Sequence, residues 1–249
     1  EPLAELILKQ SLSGSPEEAA AEYLSEEVGR IEDALQGARD IIAENISDNA
    51  NVRATTREKA LKFATLSAEK IKKAADEKGV YESYYAFNGR VDRLQPHQIL
   101  AIARGEKAGV LKVRVNISER DWLRVVQEEF KEDMLSPFAE ELEEAMQDAA
   151  KRLLLPAIER DVRRTLSEKS DSHAIQVFAT NLRALLGQPP LIGQVVLAID
   201  PGYRSGSKVA VVDSTGKLLD PGTIYPHAPQ NKWGASLSLL EEMTNRHHV

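Results

Sequence analysis

Cysteine is absent from all 249 residues, which excludes a disulfide framework and any thiolate-bound zinc. Long apolar runs are also missing. None approaches the roughly 20 residues needed to span a bilayer, and the opening residues do not read as a signal peptide. Nor is there an excess of positive charge: the net charge is -7, which argues against strong nonspecific nucleic-acid binding by these residues alone. The five histidines lack ligand spacing, with His247 and His248 adjacent at one end and His97, His173 and His227 far apart. What is present is 42% hydrophobic and 29% charged, the balance of a globular chain rather than a disordered one. Its length suits one large or two ordinary domains, and the expected compartment is the cytoplasm. The chain opens on Glu1 rather than Met and stops at Val249 within a helical pattern, so we expect a piece of a longer protein.

Composition shifts once, near Gln188-Pro189-Pro190-Leu191. Two prolines remove two backbone donors and should end a helix there. The preceding part reads as helices. The first covers Leu3 to Ser11. Ser15-Pro16-Glu17-Glu18 then starts another, with Ser15 as N-cap and Ala20, Tyr23, Leu24 and Val28 at helical spacing. Ile31, Leu35, Ile41 and Ile42 supply a further apolar face, and Asp48-Asn49-Ala50-Asn51 reads as a loop. A long helix through Leu61, Leu66 and Ile71 should close at Gly79. Tyr81, Tyr84, Tyr85 and Phe87 read as aromatics packed on helices rather than as a base-stacking platform, because few Lys or Arg residues flank them. Gln98 to Arg104 is helical, with Gly105 helping to end it. Val110 to Ile117 alternates as a half-exposed strand, and Ser118 caps the helix of Trp122, Val125 and Val126. Helices from Phe138 to Leu155 and from Ile158 to Leu186 complete this part. The acidic run Glu140-Glu141-Leu142-Glu143-Glu144 and the basic cluster Lys70, Lys72 and Lys73 read as solvated faces. Arg160, Arg163 and Arg164, interleaved with Glu159 and Asp161, read as helical ion pairs.

Beyond the prolines the pattern changes. Val195 to Ile199 is an apolar strand that stops at Asp200 and turns through Pro201-Gly202-Tyr203-Arg204-Ser205-Gly206-Ser207-Lys208 into a second apolar strand, Val209 to Val212. A carboxylate at the end of an apolar strand must be solvated, paired or metal-bound. Ribonuclease-H-like nucleases and actin-like phosphotransferases both open on this pattern. Two-metal phosphodiester hydrolysis needs several carboxylates around ions about 4 Å apart. Asp200 qualifies as one. Asp213 lies five residues down the return strand from Lys208, roughly 16 Å away, and cannot share its ion. Asp220 sits beyond the next turn, before a third strand at Gly222 to Tyr225, and a helix follows around Leu237, Leu239, Leu240 and Met243.

Several segments together resemble one family. They are Ala103-Arg104-Gly105-Glu106-Lys107, Gly109-Val110-Leu111, Phe178 to Leu186, Pro189-Pro190-Leu191, Ile199 to Arg204 and Lys208 to Asp213. Jointly they are similar to the Tex family of bacterial transcription accessory proteins. The resemblance implies a long cytoplasmic protein with a helical region, a ribonuclease-H-like domain of the Holliday-resolvase type, helix-hairpin-helix units and a C-terminal oligonucleotide-binding barrel. The helical region and the opening of the resolvase-like domain match here. Ser207 stands where many relatives are expected to have Cys.

The expected fold is therefore a mainly α multi-helix domain followed by a partial α/β ribonuclease-H-like domain. Residues 1–188 form the first, with a short strand near 110–117, and residues 193–249 form the incomplete second. The expected function is a nucleic-acid-associated transcription accessory factor, without catalytic activity in these residues. The alternatives are a metal-dependent nuclease completed by residues past Val249 and an actin-like nucleotide phosphotransferase. Asp200 is the candidate catalytic residue and the candidate weak metal ligand, against a structural reading in which it caps its loop by accepting backbone N–H bonds. Arg204 and Lys208 are candidate nucleic-acid contacts at the loop, with Lys208 also expected to neutralise Asp200. No cofactor is expected, and Mg2+ enters only with the nuclease alternative. The expected partners are RNA or single-stranded DNA, bound through the full-length protein, and the transcription machinery, with no membrane.

Overall fold

The computed structural model describes every residue except Glu27, Pro190, Ile192 and Tyr203. Part of the Pro189-Pro190 punctuation and Tyr203 of the hairpin motif therefore lie outside the described residues. The chain divides into two compact units, Glu1–Ala179 and Thr180–Val249.

In the first unit, α1 (Pro2–Lys9) and α2 (Pro16–Ala21) precede the long helix α3 (Ile31–Asp48). Ser15 Oγ accepts the Glu18 N–H at 3.1 Å, so the N-cap read from the sequence is formed. Helix α2 nevertheless stops at Ala21, and Tyr23 and Leu24 stay exposed rather than extending its apolar face. The expected loop at Asp48 to Asn51 is a single residue. Asn49 caps α4 (Ala50–Phe63) by accepting the Asn51 and Val52 N–H groups, each at 3.0 Å.

Past Phe63 the expectation of a continuing helix is corrected. Leu66 lies in strand β1 (Thr65–Lys70), and Ile71 follows that strand. Beside β1 run β2 (Ala86–Arg90) and β3 (Leu111–Asn116), giving an antiparallel sheet of order β2-β1-β3 where one strand was expected. Thr65 to Lys70 alternates, and period-2 burial of Leu66 and Ala68 prevails once two partner strands supply hydrogen bonds. The Tyr and Phe cluster packs against the core, as the sequence reading holds. Tyr85 also donates its hydroxyl to Asp76 at 2.8 Å.

Between β2 and β3 lies α5 (Pro96–Lys107). Gly105 is inside this helix and does not end it. A Cβ there would lie 2.6 Å from Leu111 Cδ1 and 3.0 Å from the Tyr81 ring, so its smallness lets α5 approach β3. On β3, Val115 donates its N–H to Glu159 Oε1 of α8 (Leu155–Leu186) at 2.9 Å, so one backbone donor of this edge strand is taken by a side chain.

Helices α6 (Glu119–Glu129), α7 (Ala139–Asp148) and α8 (Leu155–Leu186) complete the order. The sequence reading breaks the last two helices around Pro156. Instead, the π-helical segment Ala149–Leu154 joins α7 to α8 without a loop. Its wide turn ends with the Leu155 N–H on Ala150 O, immediately before the residue that has no donor. Of the arginines on α8, Arg164 pairs with Asp161 at 2.9 Å, as a helical ion pair should, whereas Arg163 reaches Glu106 of α5.

Helix α3 packs against α1, α2, α4, α7 and the π segment. Its buried face is Leu35, Ala38, Ile42, Ala43 and Ile46, with Arg39 in the middle of it. The Arg39 guanidinium donates to Glu32 at 2.5 Å, Gln36 at 3.0 Å and Glu141 at 2.8 Å, and lies 2.9 Å from Glu144. The acidic run on α7 is thus only partly a solvated face. Burial pushes the Glu141 carboxyl above its ordinary range despite the guanidinium. For Arg39, burial opposes the charge but the three carboxylates outweigh it, and its pKa is raised.

The second unit contains β4 (Val196–Asp200), β5 (Ser207–Val212) and β6 (Leu218–Ile224), antiparallel in the order β4-β5-β6, and then α9 (Trp233–His247). Val209, Val211, Ile224 and Met243 form its core, with Val195, Leu197, Leu239 and Leu240 around them. Strand β4 is apolar in sequence yet open on one side, with Ile199 48% exposed. One neighbouring strand and one helix cannot cover it completely.

Arg39→Met is expected to lower unfolding free energy by about 3 kcal/mol, the lower end for breaking a buried pair, because Glu141 is left without its cation. Adding Glu141→Met should recover most of the loss in urea melts. The single-variant deficit should shrink in acid, since a carboxyl with a raised folded pKa costs least once protonated.

Candidate functional site

The hairpin mouth owes its shape to two glycines. A Cβ on Gly202 would lie 2.4 Å from Gly206 O, and one on Gly206 would lie 2.4 Å from the Tyr225 ring. Gly206 also holds φ at 85°, where other residues are strained. The loop is drawn in further by Ser207, which is buried and accepts the Gly202 N–H on Oγ at 3.3 Å. At the base of this loop Ser236 of α9 accepts the Tyr225 N–H at 3.2 Å and donates to Lys232 O at 2.7 Å. Ser236 was not singled out in the sequence. A serine in the first turn of a helix reads there as an ordinary surface residue.

The register places Asp200 directly across from Lys208, with Val196 across from Val212 at the far end. Asp200, Arg204 and Lys208 are all exposed. Among the described residues Asp200 and Lys208 do not approach within ion-pair distance, so the expected neutralisation of one by the other is corrected. Cross-strand neighbours with long, solvated side chains gain too little in water to hold one geometry.

The other two aspartates of this unit are committed elsewhere. Asp213 follows β5 and organises the β5–β6 turn: its Oδ1 accepts the Thr215 N–H at 2.8 Å, the Thr215 hydroxyl at 2.7 Å and the Lys217 N–H at 2.9 Å. Those bonds hold its carboxyl below the ordinary range, the Thr215 hydroxyl contributing most. Asp220 pairs with Arg246 at 3.0 Å and with His247 Nε2 at 3.1 Å. His247, near one end of the chain, is therefore tied to β6. The signal was the placement of α9 along β6, which spacing alone does not reveal.

Among the described residues no three His, Asp or Glu side chains converge as metal ligands. A two-metal site needs several oxygen donors around both ions, and the register carries Asp213 and Asp220 away from Asp200. The residues present do not fit that centre. What the mouth offers is one exposed carboxylate, two exposed cations and a tight, glycine-dependent loop.

A mainly helical unit precedes a strand-hairpin-helix unit that opens a ribonuclease-H-like domain, and the comparisons agree. Residues 12–178 match the Tex central region-like family, and residues 194–249 match the Tex protein YqgF-like domain. The chain belongs to the Tex family. It is 40% identical over its whole length to the protein YdcI of Bacillus subtilis and 33% identical to Protein tex of Bordetella pertussis, covering 35% and 33% of those proteins. Over 80% of its length it is 29% identical to the human S1 RNA-binding domain-containing protein 1, of which it covers 21%. The chain thus spans about a third of the length of its bacterial relatives.

Asp213 is expected to titrate below the ordinary aspartate value of about 3.9 when followed by carboxyl-detected NMR. A depressed folded pKa contributes stability that is present above the unfolded pKa and is lost as pH falls through the folded one. Asp213→Asn should remove that acid-side dependence of the second unit.

Proposed function

We propose that this protein is a nucleic-acid-associated transcription accessory factor and that these residues carry no catalytic activity of their own. The reading is supported by relatives named Protein tex, Transcriptional accessory protein Tex and S1 RNA-binding domain-containing protein 1. The observation that carries the noncatalytic part is the dispersal of carboxylates. Asp200 is at one end of the hairpin, Asp213 is at the other, and Asp220 is bound to Arg246 and His247. Asp200 is then a residue of the loop mouth, and any divalent cation there is held weakly.

Partners on this reading are RNA or single-stranded DNA, engaged by the full-length protein, and the transcription machinery. The compartment is the cytoplasm. No described helix is long and apolar enough to cross a membrane. Arg204 and Lys208 are exposed at the mouth and would add phosphate contacts to a strand held elsewhere.

A metal-dependent nuclease is the second reading. It is favoured by one observation: Asp200 ends a strand whose apolar face is partly open, where further strands could bring more carboxylates. An actin-like phosphotransferase would need a second phosphate-binding loop, and the sequence provides no such motif.

The full-length protein is expected to leave branched and single-stranded substrates intact in Mg2+ or Mn2+. Metal-dependent cleavage that disappears in Asp200→Ala would establish the nuclease instead. The 249 residues alone should bind single-stranded RNA weakly, with affinity falling as salt rises.

A further inference from the structure

Charge is unevenly distributed along the chain. Residues 62–118 hold eleven Lys and Arg against six Asp and Glu, within a molecule of net charge -7. Three of those six carboxylates are already engaged: Asp76 with Tyr85, Asp92 with Arg90, and Glu106 with Arg163. This segment builds the sheet β2-β1-β3.

The register sorts its side chains by face. Leu66, Ala68, Val113 and Val115 are buried on the core side. The outward face consists of three cross-strand rows: Arg90–Thr65–Asn116, Asn88–Ser67–Arg114 and Ala86–Glu69–Lys112. Thr65 and Ser67 are half-buried on the central strand, and the other seven positions are exposed. Asn116 donates its amide to Ser67 Oγ at 3.0 Å. Among the described residues Lys112 and Arg114 enter no ion pair, whereas Arg90 is held by Asp92 at 2.8 Å.

We propose that this face binds the sugar–phosphate backbone of a single-stranded nucleic acid, an inference that rests on the nucleic-acid association proposed above. Lys112, Arg114 and Asn116 project at every second residue of β3, about 6.7 Å apart, on the scale of the phosphate repeat of an extended polynucleotide. Arg90 flanks them across the sheet. The short polar groups of Thr65, Ser67, Asn88 and Asn116 let a backbone come close and can serve phosphate and sugar oxygens. None of the nine positions is aromatic or a large aliphatic residue. Bases therefore have no stacking platform here, and a membrane has no apolar wedge to receive. Binding would be sequence-independent. Glu69 is the one carboxylate among the nine, and it limits the affinity.

The test is fluorescence anisotropy with 12-nucleotide oligo(U) and oligo(dT), using the 249-residue chain at low salt. Both should bind, and neutralisation of two phosphates by Lys112 and Arg114 gives a slope of log K against log salt of about -1.4. Preference for one oligonucleotide would tell RNA from DNA as the source of the backbone. The K112E/R114E variant should bind at least tenfold more weakly with a shallower slope and an unchanged thermal melt. Glu69→Lys should bind more tightly, which keeps the inference testable if the double variant misfolds. Wild-type affinity in a folded K112E/R114E, no binding at low salt, or equal competition by a polyglutamate peptide or phosphatidylserine vesicles would overturn it. If R204E/K208E abolishes binding while K112E/R114E retains it, this face is wrong but the nucleic-acid association stands.

Discussion

Helix α3 cannot bury its apolar face without burying Arg39 with it. Leu35, Ala38, Ile42, Ala43 and Ile46 all turn toward the core, and Arg39 lies among them at 7% exposure. A buried charge must be compensated, and here the compensation comes from α3 itself and from α7. Glu141 and Glu144 have to sit on the α7 face that meets α3, which sets the rotation of α7. The π segment and α8 continue directly from α7, so their positions follow from the same match.

Local signals in the sequence proved legible where the determinants are local. The Ser15 cap, the Val110 to Ile117 alternation and the Trp122-Val125-Val126 face each depend on residues within one or two turns. Strand β1 was not legible for the opposite reason. Leu61 and Leu66 continue a helical spacing from α4, and only pairing with β2 and β3 makes the extended form better. Gly105 misled in a similar way. Its reason for being small is Leu111, which lies beyond the helix it appeared to end.

The hairpin was read more completely, because a two-stranded ladder is itself nearly local. Once Asp200 faces Lys208, the distance to Asp213 follows from the strand repeat. What the spacing did not show was how the spare carboxylates are used. Asp213 and Asp220 look equally available in sequence, but one organises a turn and the other ties the last turn of α9 to β6. Such assignments depend on three-dimensional neighbours and therefore emerged only from the fold.

The bond from Val115 N–H to the Glu159 carboxylate has a consequence for self-association. An antiparallel sheet can recruit a foreign strand at either margin, and each margin left unpaired is a template for polymerisation. On the β3 side the helix side chain occupies one donor that an incoming strand would need. Recruitment is thereby directed to β2, a five-residue strand ending at Arg90. Glu159→Ala would free the Val115 donor on the β3 margin, and its first effect in concentrated solution would be oligomerisation before any loss of fold.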